Sequence, residues 1–256
     1  ATLPRLGTTD TDRDGIDDIN EGFSDSDLDG LPLFMDTSIT GYFQPLHVNA
    51  AVVKLIETEP GLQLNLGKYA RLQRSDGVQL SQQEIDSTGL IPKDTLVNQG
   101  GYFDFEIHNV TPFGRSVRVV LPLAEPLSKY SVYRKFDIDS GWFDFIENSQ
   151  NAIASSEDEN GVCPPPHSTS YQSGLVVGFT CLRLTVEDGG PNDADSVANG
   201  VIVDPGGIAI LSNETIAKDT TPETSSSGSS SLVWLILLSL SLAIRITHSR
   251  EPMKVK

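Results

Sequence analysis

Cysteine, tryptophan and methionine each occur only twice in the 256 residues of this chain, and basic residues number 18 against 35 acidic ones. The resulting net charge of −17 excludes nucleic acid as a partner and a lasting hold on anionic lipid, since both would repel it. Signatures of catalysis are missing as well. There is no Gly-x-Ser-x-Gly elbow, no His-Glu-x-x-His zinc helix, no phosphate loop and no dinucleotide fingerprint. His47, His108 and His167 are scattered, and the abundant carboxylates show no spacing that marks a pair for glycoside hydrolysis. The chain is therefore expected not to be an enzyme. Ala1–Asp10 has neither a charged start nor an apolar stretch, so no secretory leader is visible, and a fragment of a longer protein is expected.

The two cysteines, Cys163 and Cys181, are expected to form a disulfide, because a lone pair at this separation suits an exported protein. Closing a loop of that length stabilises a fold by about 3 kcal/mol.

What the chain has in excess is aspartate at its start. Ten acidic and only two basic residues fall within Ala1–Asp36. In the first of two loops, Asp10, Asp12 and Asp14 alternate before Gly15, with the Ile16 carbonyl, Asp18 and Glu21 completing a twelve-position calcium-loop frame. Alternate carboxylates converge on one cation, and the glycine lets the backbone turn around it. A second loop repeats the frame with Asp25, Asp27, Asp29, Gly30, the Leu31 carbonyl and Asp36; Leu33 stands at its ninth position, where water would serve. Only Gly22, Phe23 and Ser24 separate the loops, which leaves no room for the two helices of a paired EF-hand. Tandem Asp- and Gly-rich loops at this pitch resemble thrombospondin type 3 repeats. That resemblance covers about forty residues and implies calcium ions wrapped by a segment with almost no hydrophobic core of its own.

The other end reads as small, then apolar, then basic. Thr224–Ser231 is nearly all serine, Leu232–Ile244 is an apolar run, and Arg245, His248, Arg250, Lys254 and Lys256 follow. Thirteen residues reach about 20 Å as a helix, short of a hydrocarbon core of about 30 Å. The basic end would stay on the cytoplasmic side, with everything before Ser225 outside. This order resembles the GlyGly-CTERM sorting signal of Gram-negative bacteria, with Ser227, Gly228 and Ser229 in place of the glycine pair. The resemblance implies a rhombosortase-like processing protease, a membrane helix before processing, and display at the cell surface or outer membrane. The alternative is a permanent single-pass anchor.

Between these ends the pattern is that of strands. Leu62–Leu66, Phe103–Ile107, Val117–Leu123 and Leu182–Val186 alternate with period two, and Gly- and Asx-rich turns separate them. The expected fold is all-β, a β-sandwich of immunoglobulin-like or related type, with one short helix at Ser81–Ser87 where Ser81 and Glu84 have capping-box spacing. Tyr133-Arg134-Lys135-Phe136, Gly141-Trp142-Phe143, Cys163-Pro164-Pro165-Pro166, Cys181–Asp188 and the string Asp188–Gly207 are similar to the choice-of-anchor U domain of bacterial exported proteins. That family implies export and surface placement and carries no reaction. Within the string, Asp188, Asn192, Asp193 and Asp195, with Asn199 and Asp204 beyond them, are hard oxygen donors on a glycine-rich loop and make a third candidate calcium site. The same Asx residues suit turns equally well.

Tyr102, Phe103, Tyr130, Tyr133, Phe136, Trp142, Phe143 and Phe145 are expected in the core, with an exposed platform for sugars as the alternative. The expected organisation is calcium repeats at 1–40, a sandwich at 46–212, a Ser/Thr linker at 213–231 and a hydrophobic helix with basic tail at 232–256. The expected role is a non-enzymatic, calcium-binding surface protein, structural or adhesive, with a surface glycan or protein as ligand. A carbohydrate-binding module and an accessory part of a larger secreted hydrolase are the alternatives.

Overall fold

The computed structural model describes residues 5–12, 17–25, 30–36, 41–48 and 50–211. The expected linker, sorting motif and C-terminal helix lie outside these residues. Among the described residues no helix is long and apolar enough to cross a membrane.

The architecture is all-β, two six-stranded sheets in which every pairing is antiparallel. In the first sheet β1 (Phe43–Pro45), β2 (Leu55–Thr58), β6 (Ser116–Pro122), β11 (Cys181–Glu187), β9 (Ala152–Ser156) and β10 (Gln172–Ser173) lie side by side in that order. The second runs β3 (Gln63–Leu66), β5 (Val97–His108), β12 (Ile202–Ile210), β7 (Ser131–Asp137) and β8 (Gly141–Asp144), with β4 (Gln79–Leu80) also paired to β5. Period-two alternation explains the layering. Val117, Val119 and Leu121 of β6 and Leu182, Leu184 and Val186 of β11 join Leu64, Phe105, Ile107 and Ile202 of the other sheet in one buried cluster. Each such side chain contributes roughly 1.5–3 kcal/mol on leaving water.

β5 departs from alternation, since Tyr102, Phe103, Asp104 and Phe105 are all buried. Helices α2 (Lys68–Gln73) and α3 (Gln82–Thr88) contact this strand, and Tyr69, Ala70 and Ile85 from them are buried. Ring contacts link Tyr69 to Phe136 at 6.2 Å, Phe136 to Trp142 at 5.4 Å and Trp142 to Tyr102 at 5.3 Å. Helix α3 starts where the sequence placed it, and both halves of the Ser81–Glu84 capping box are formed. Helix α2 has no such sequence mark because its cap comes from elsewhere in the fold. Gly67, at its N-cap position, offers no side chain, and the Asp104 carboxylate of β5 accepts the Ala70 N–H at 2.7 Å instead. A Cβ on Gly67 would lie 2.3 Å from that carboxyl group, so glycine is required there by close approach.

The acidic segment contains a one-turn helix, α1 (Asp18–Glu21), and a 3-10 turn at Leu33–Met35. It has more apolar anchorage than its composition suggests. Leu31 is 2% exposed and belongs to the main core, Met35 packs against that core, and Phe23 meets Phe34 edge-on at 5.4 Å. The segment thus docks on the sandwich as part of one compact unit.

Cys163 and Cys181 form the expected disulfide, with Cα atoms 5.6 Å apart. It holds the loop before β11 near the outer side of the first sheet, where Val120, Ala154, Tyr171 and Cys181 make a second, small cluster. Arg183 organises this loop. Its guanidinium lies 4.5 Å from the Tyr171 ring centroid and donates to the carbonyls of Pro166 and Ser168 at 3.2 and 2.9 Å.

Candidate functional site

Of the expected ligands in the N-terminal loops, Asp14, Ile16, Asp27 and Asp29 lie outside the described residues. Among the rest, Asp12, Asp18 and Asp36 are only 1%, 6% and 4% exposed. Asp18 accepts both the Thr11 N–H and the Thr11 hydroxyl at 2.8 Å, so it draws the start of the first loop back onto α1. Asp25 accepts the Gly30 N–H at 3.1 Å and closes the second loop in the same way. Among the described residues no three His, Cys, Asp or Glu side chains come together as a metal site.

The Asp188–Asp204 loop is described throughout, and its oxygens face backbone N–H groups. Asp188, 1% exposed, accepts from Gly114, Asn199 and Gly200 at 2.8–3.2 Å. Asn192 accepts from the Ile146 N–H and donates to the Ile146 carbonyl, both at 2.8 Å. The two oxygens of Asp193 take the N–H groups of Val203 and Gly189 at 2.9 and 2.8 Å, and its burial raises its pKa to about 7. Asp195 accepts from the Val197 N–H and the Asn199 side-chain amide, each at 2.9 Å. The four candidate ligands are neighbours on one loop, and each has an oxygen that faces N–H groups.

Asp204 turns away from this loop into the core. It and Lys135 are both completely buried, with Lys135 Nζ 2.7 Å from Asp204 Oδ1. Tyr133, 1% exposed, donates its hydroxyl to the same oxygen at 3.3 Å. Three sequence facts create this arrangement. Tyr133 and Lys135 alternate onto one face of β7, Lys135 pairs in register with Gly206 of β12, and Asp204 is two residues farther along β12. Gly206 is needed for close approach, because a Cβ there would lie 2.9 Å from the Tyr133 hydroxyl. Burial pushes the Lys135 ammonium towards the neutral amine and drives the Tyr133 phenol well above its usual range. No hydrogen bond of good geometry reaches Lys135 Nζ or Asp204 Oδ2. The sequence reading missed this pair, although a lysine at an inward strand position was a signal that could have found it.

On the outer side of the second sheet Arg134 is held by Asp94 through two bonds at 2.9 and 3.0 Å, and by Asp144. Tyr102, Phe103, Tyr133, Phe136 and Phe145 are buried and Trp142 is partly buried, as the core-packing expectation had it; only Tyr130 among the eight aromatics is exposed. A cavity of about 290 Å³ opens beside Tyr133 and Phe145 and is rimmed by Asp144 and Glu147. Another of about 180 Å³, between β2 and the disulfide, contains Glu57, whose pKa is raised by burial. No protein-family model matches the chain, and no curated protein and no solved structure matches it either.

Proposed function

We propose that this chain is a non-enzymatic, calcium-binding module of an exported bacterial surface protein, structural or adhesive in role. The observation that carries the reading is the N-terminal segment. Its ten acidic and two basic residues leave a net charge of −8, yet Asp12, Asp18 and Asp36 are almost wholly buried in it. Carboxylates at alternate positions that turn inward beside a glycine are hard oxygen donors of the kind that suits calcium. Asp10, Asp12, Asp14, the Ile16 carbonyl, Asp18 and Glu21 would hold one ion, and Asp25, Asp27, Asp29, the Leu31 carbonyl and Asp36 a second. Calcium supplies charge neutralisation and cross-linking of the two loops, with no reaction. Leu31 carries that rigidity into the sandwich core, since its side chain is buried there.

Export is supported by the Cys163–Cys181 disulfide, a bond that oxidising compartments favour. Surface placement through a rhombosortase-like protease rests on the serine-rich, apolar and basic order of residues 224–256. The ligand of such a module is a surface protein or glycan. The test is calorimetric titration of the chelated protein with calcium, followed in parallel by thermal unfolding. Two bound ions and a raised unfolding temperature are expected; absence of binding would reduce the N-terminus to an acidic linker and end the calcium reading.

A further inference from the structure

We infer that Lys135 and Asp204 condense to an intramolecular amide that covalently staples β7 to β12 inside the sandwich. The geometry is that of two reactants already in contact. Nζ is 2.7 Å from Oδ1, and the carboxyl carbon lies one carbonyl bond, about 1.2 Å, beyond that oxygen. Both side chains are fully buried, so neither bulk water nor a competing nucleophile reaches them. The register fixes them there: Lys135 lies opposite Gly206, two residues along the strand from Asp204, and the missing Cβ of Gly206 leaves room for the Tyr133 ring and hydroxyl. Proximity held in this way replaces the entropy cost of a bimolecular encounter.

The unreacted pair is poorly served by its surroundings. Asp204 Oδ2 accepts nothing, and the Lys135 ammonium has the single Oδ1 contact for its three N–H donors. A charged pair buried with unfilled hydrogen-bonding capacity is costly. Condensation removes those defects. One proton passes from Nζ to the carboxylate, leaving an amine and a carboxylic acid. The Nζ lone pair then attacks Cγ, the Cγ–Oδ2 bond breaks, and a second Nζ proton leaves with that oxygen as water. The amide keeps the third proton on nitrogen and Oδ1 as its carbonyl oxygen. Nothing is oxidised or reduced, and no co-reactant is required.

The surrounding groups favour each step. Burial shifts Lys135 towards the nucleophilic amine. Tyr133 donates at 3.3 Å to Oδ1, the oxygen that remains, and so polarises the carbonyl under attack. Asp193 and Asp104 are the other carboxyl groups whose charge Lys135 feels; they oppose the loss of its proton, burial outweighs them, and they are held by backbone N–H groups of their own. The product would replace an ion pair by a covalent link between β12 and its neighbour β7.

The test is the intact mass of the full chain purified folded and measured denatured, together with a tryptic map after reduction of the disulfide. The expected result is one water missing per chain, Lys135 resistant to trypsin, and the peptide containing Asp204 joined to it. Lys135→Met, folded or not, should carry no such loss. A wild-type mass short of only the two hydrogens of the disulfide would overturn the inference. A water lost elsewhere, for example as a succinimide at Asp76 before Gly77, would leave Lys135 cleavable and would overturn it equally.

Discussion

In the segment before Phe43, Asp12, Asp18 and Asp36 are buried where ten acidic residues meet two basic ones, and Asp18 is held by its near neighbour Thr11, whereas the sandwich buries Asp94, Asp188 and Asp204 against donors distant in sequence. Asp94 has the Arg134 guanidinium, Asp188 has backbone N–H groups, and Asp204 has Lys135 and Tyr133. The same side chain is thus accommodated in two ways. Where strands and long-range contacts deliver cations and amides, the fold satisfies its own carboxylates. Where a short irregular segment concentrates them with two basic side chains, the proposed calcium ions would add to the hydrogen bonds that the segment makes for itself.

The largest way to break this comparison is inside the core. Asp204→Ala should destabilise the chain by about 3–5 kcal/mol, since it leaves a buried lysine without its counter-charge. Equilibrium urea unfolding measures it; a loss below about 1 kcal/mol would mean that the pair is incidental. Next is the disulfide, whose removal by Cys163→Ser with Cys181→Ser should cost about 3 kcal/mol in the same assay. Calcium comes third. Free calcium at about a hundredfold excess over its dissociation constant should add about 2.7 kcal/mol per site, and Asp12→Asn with Asp36→Asn should abolish most of that gain. Asp204→Ala should leave the calcium-dependent increment intact, because the proposed ligands of both N-terminal loops precede Phe43 whereas Asp204 faces Lys135 and Tyr133. A calcium increment that disappears with Asp204 would place the ion in the sandwich and erase the distinction.

The strands and helix α3 were legible in the sequence because their signals are local. Alternation in Leu182–Val186 reports a half-buried strand, and Ser81 with Glu84 reports a cap, without reference to any distant residue. Helix α2 and the core pair were not, for the opposite reason. The cap of α2 is a carboxylate from β5, and Asp204 acquires its meaning only when β12 lies beside β7 with Gly206 opposite Lys135. In the Asp188–Gly207 string the oxygens are visible in the sequence, but only the fold reveals that Gly114, Ile146 and Val203 supply N–H groups those oxygens face. The docking of the acidic segment similarly involves Leu31 and Met35, which composition alone counts among a few isolated apolar positions.

A smaller effect separates the two regions by the sign of their pH dependence. Asp193 and Asp104 ordinarily titrate at 3.8, but burial raises them to about 7 and about 6 in the folded chain. Between those values the folded state retains protons that the unfolded chain has released. Their contribution to stability is therefore full below about pH 4 and is lost as pH rises to about 7. Calcium affinity runs the other way over the acidic half of that range, because its ligands must be deprotonated. In chelator the unfolding temperature should fall as pH rises through this window, less steeply in Asp193→Asn and Asp104→Asn. In saturating calcium the slope should flatten or reverse. Equal slopes with and without calcium would show that the N-terminal carboxylates gain nothing from the ion.

The smallest expected change is at Asp195, the exposed member of the third candidate site. Its oxygens take the Val197 N–H and the Asn199 amide, so an asparagine can keep the first of these bonds, and Asp195→Asn should alter stability by no more than about 0.5 kcal/mol. Calorimetric stoichiometry gives the sharper result. If the loop oxygens serve only the turn, the number of calcium ions bound by Asp195→Asn equals that of the unaltered chain, and adding Asp193→Asn does not change it. Loss of one ion would mean that the loop releases its N–H partners to accept calcium, and the sandwich would then share the strategy of the N-terminal segment.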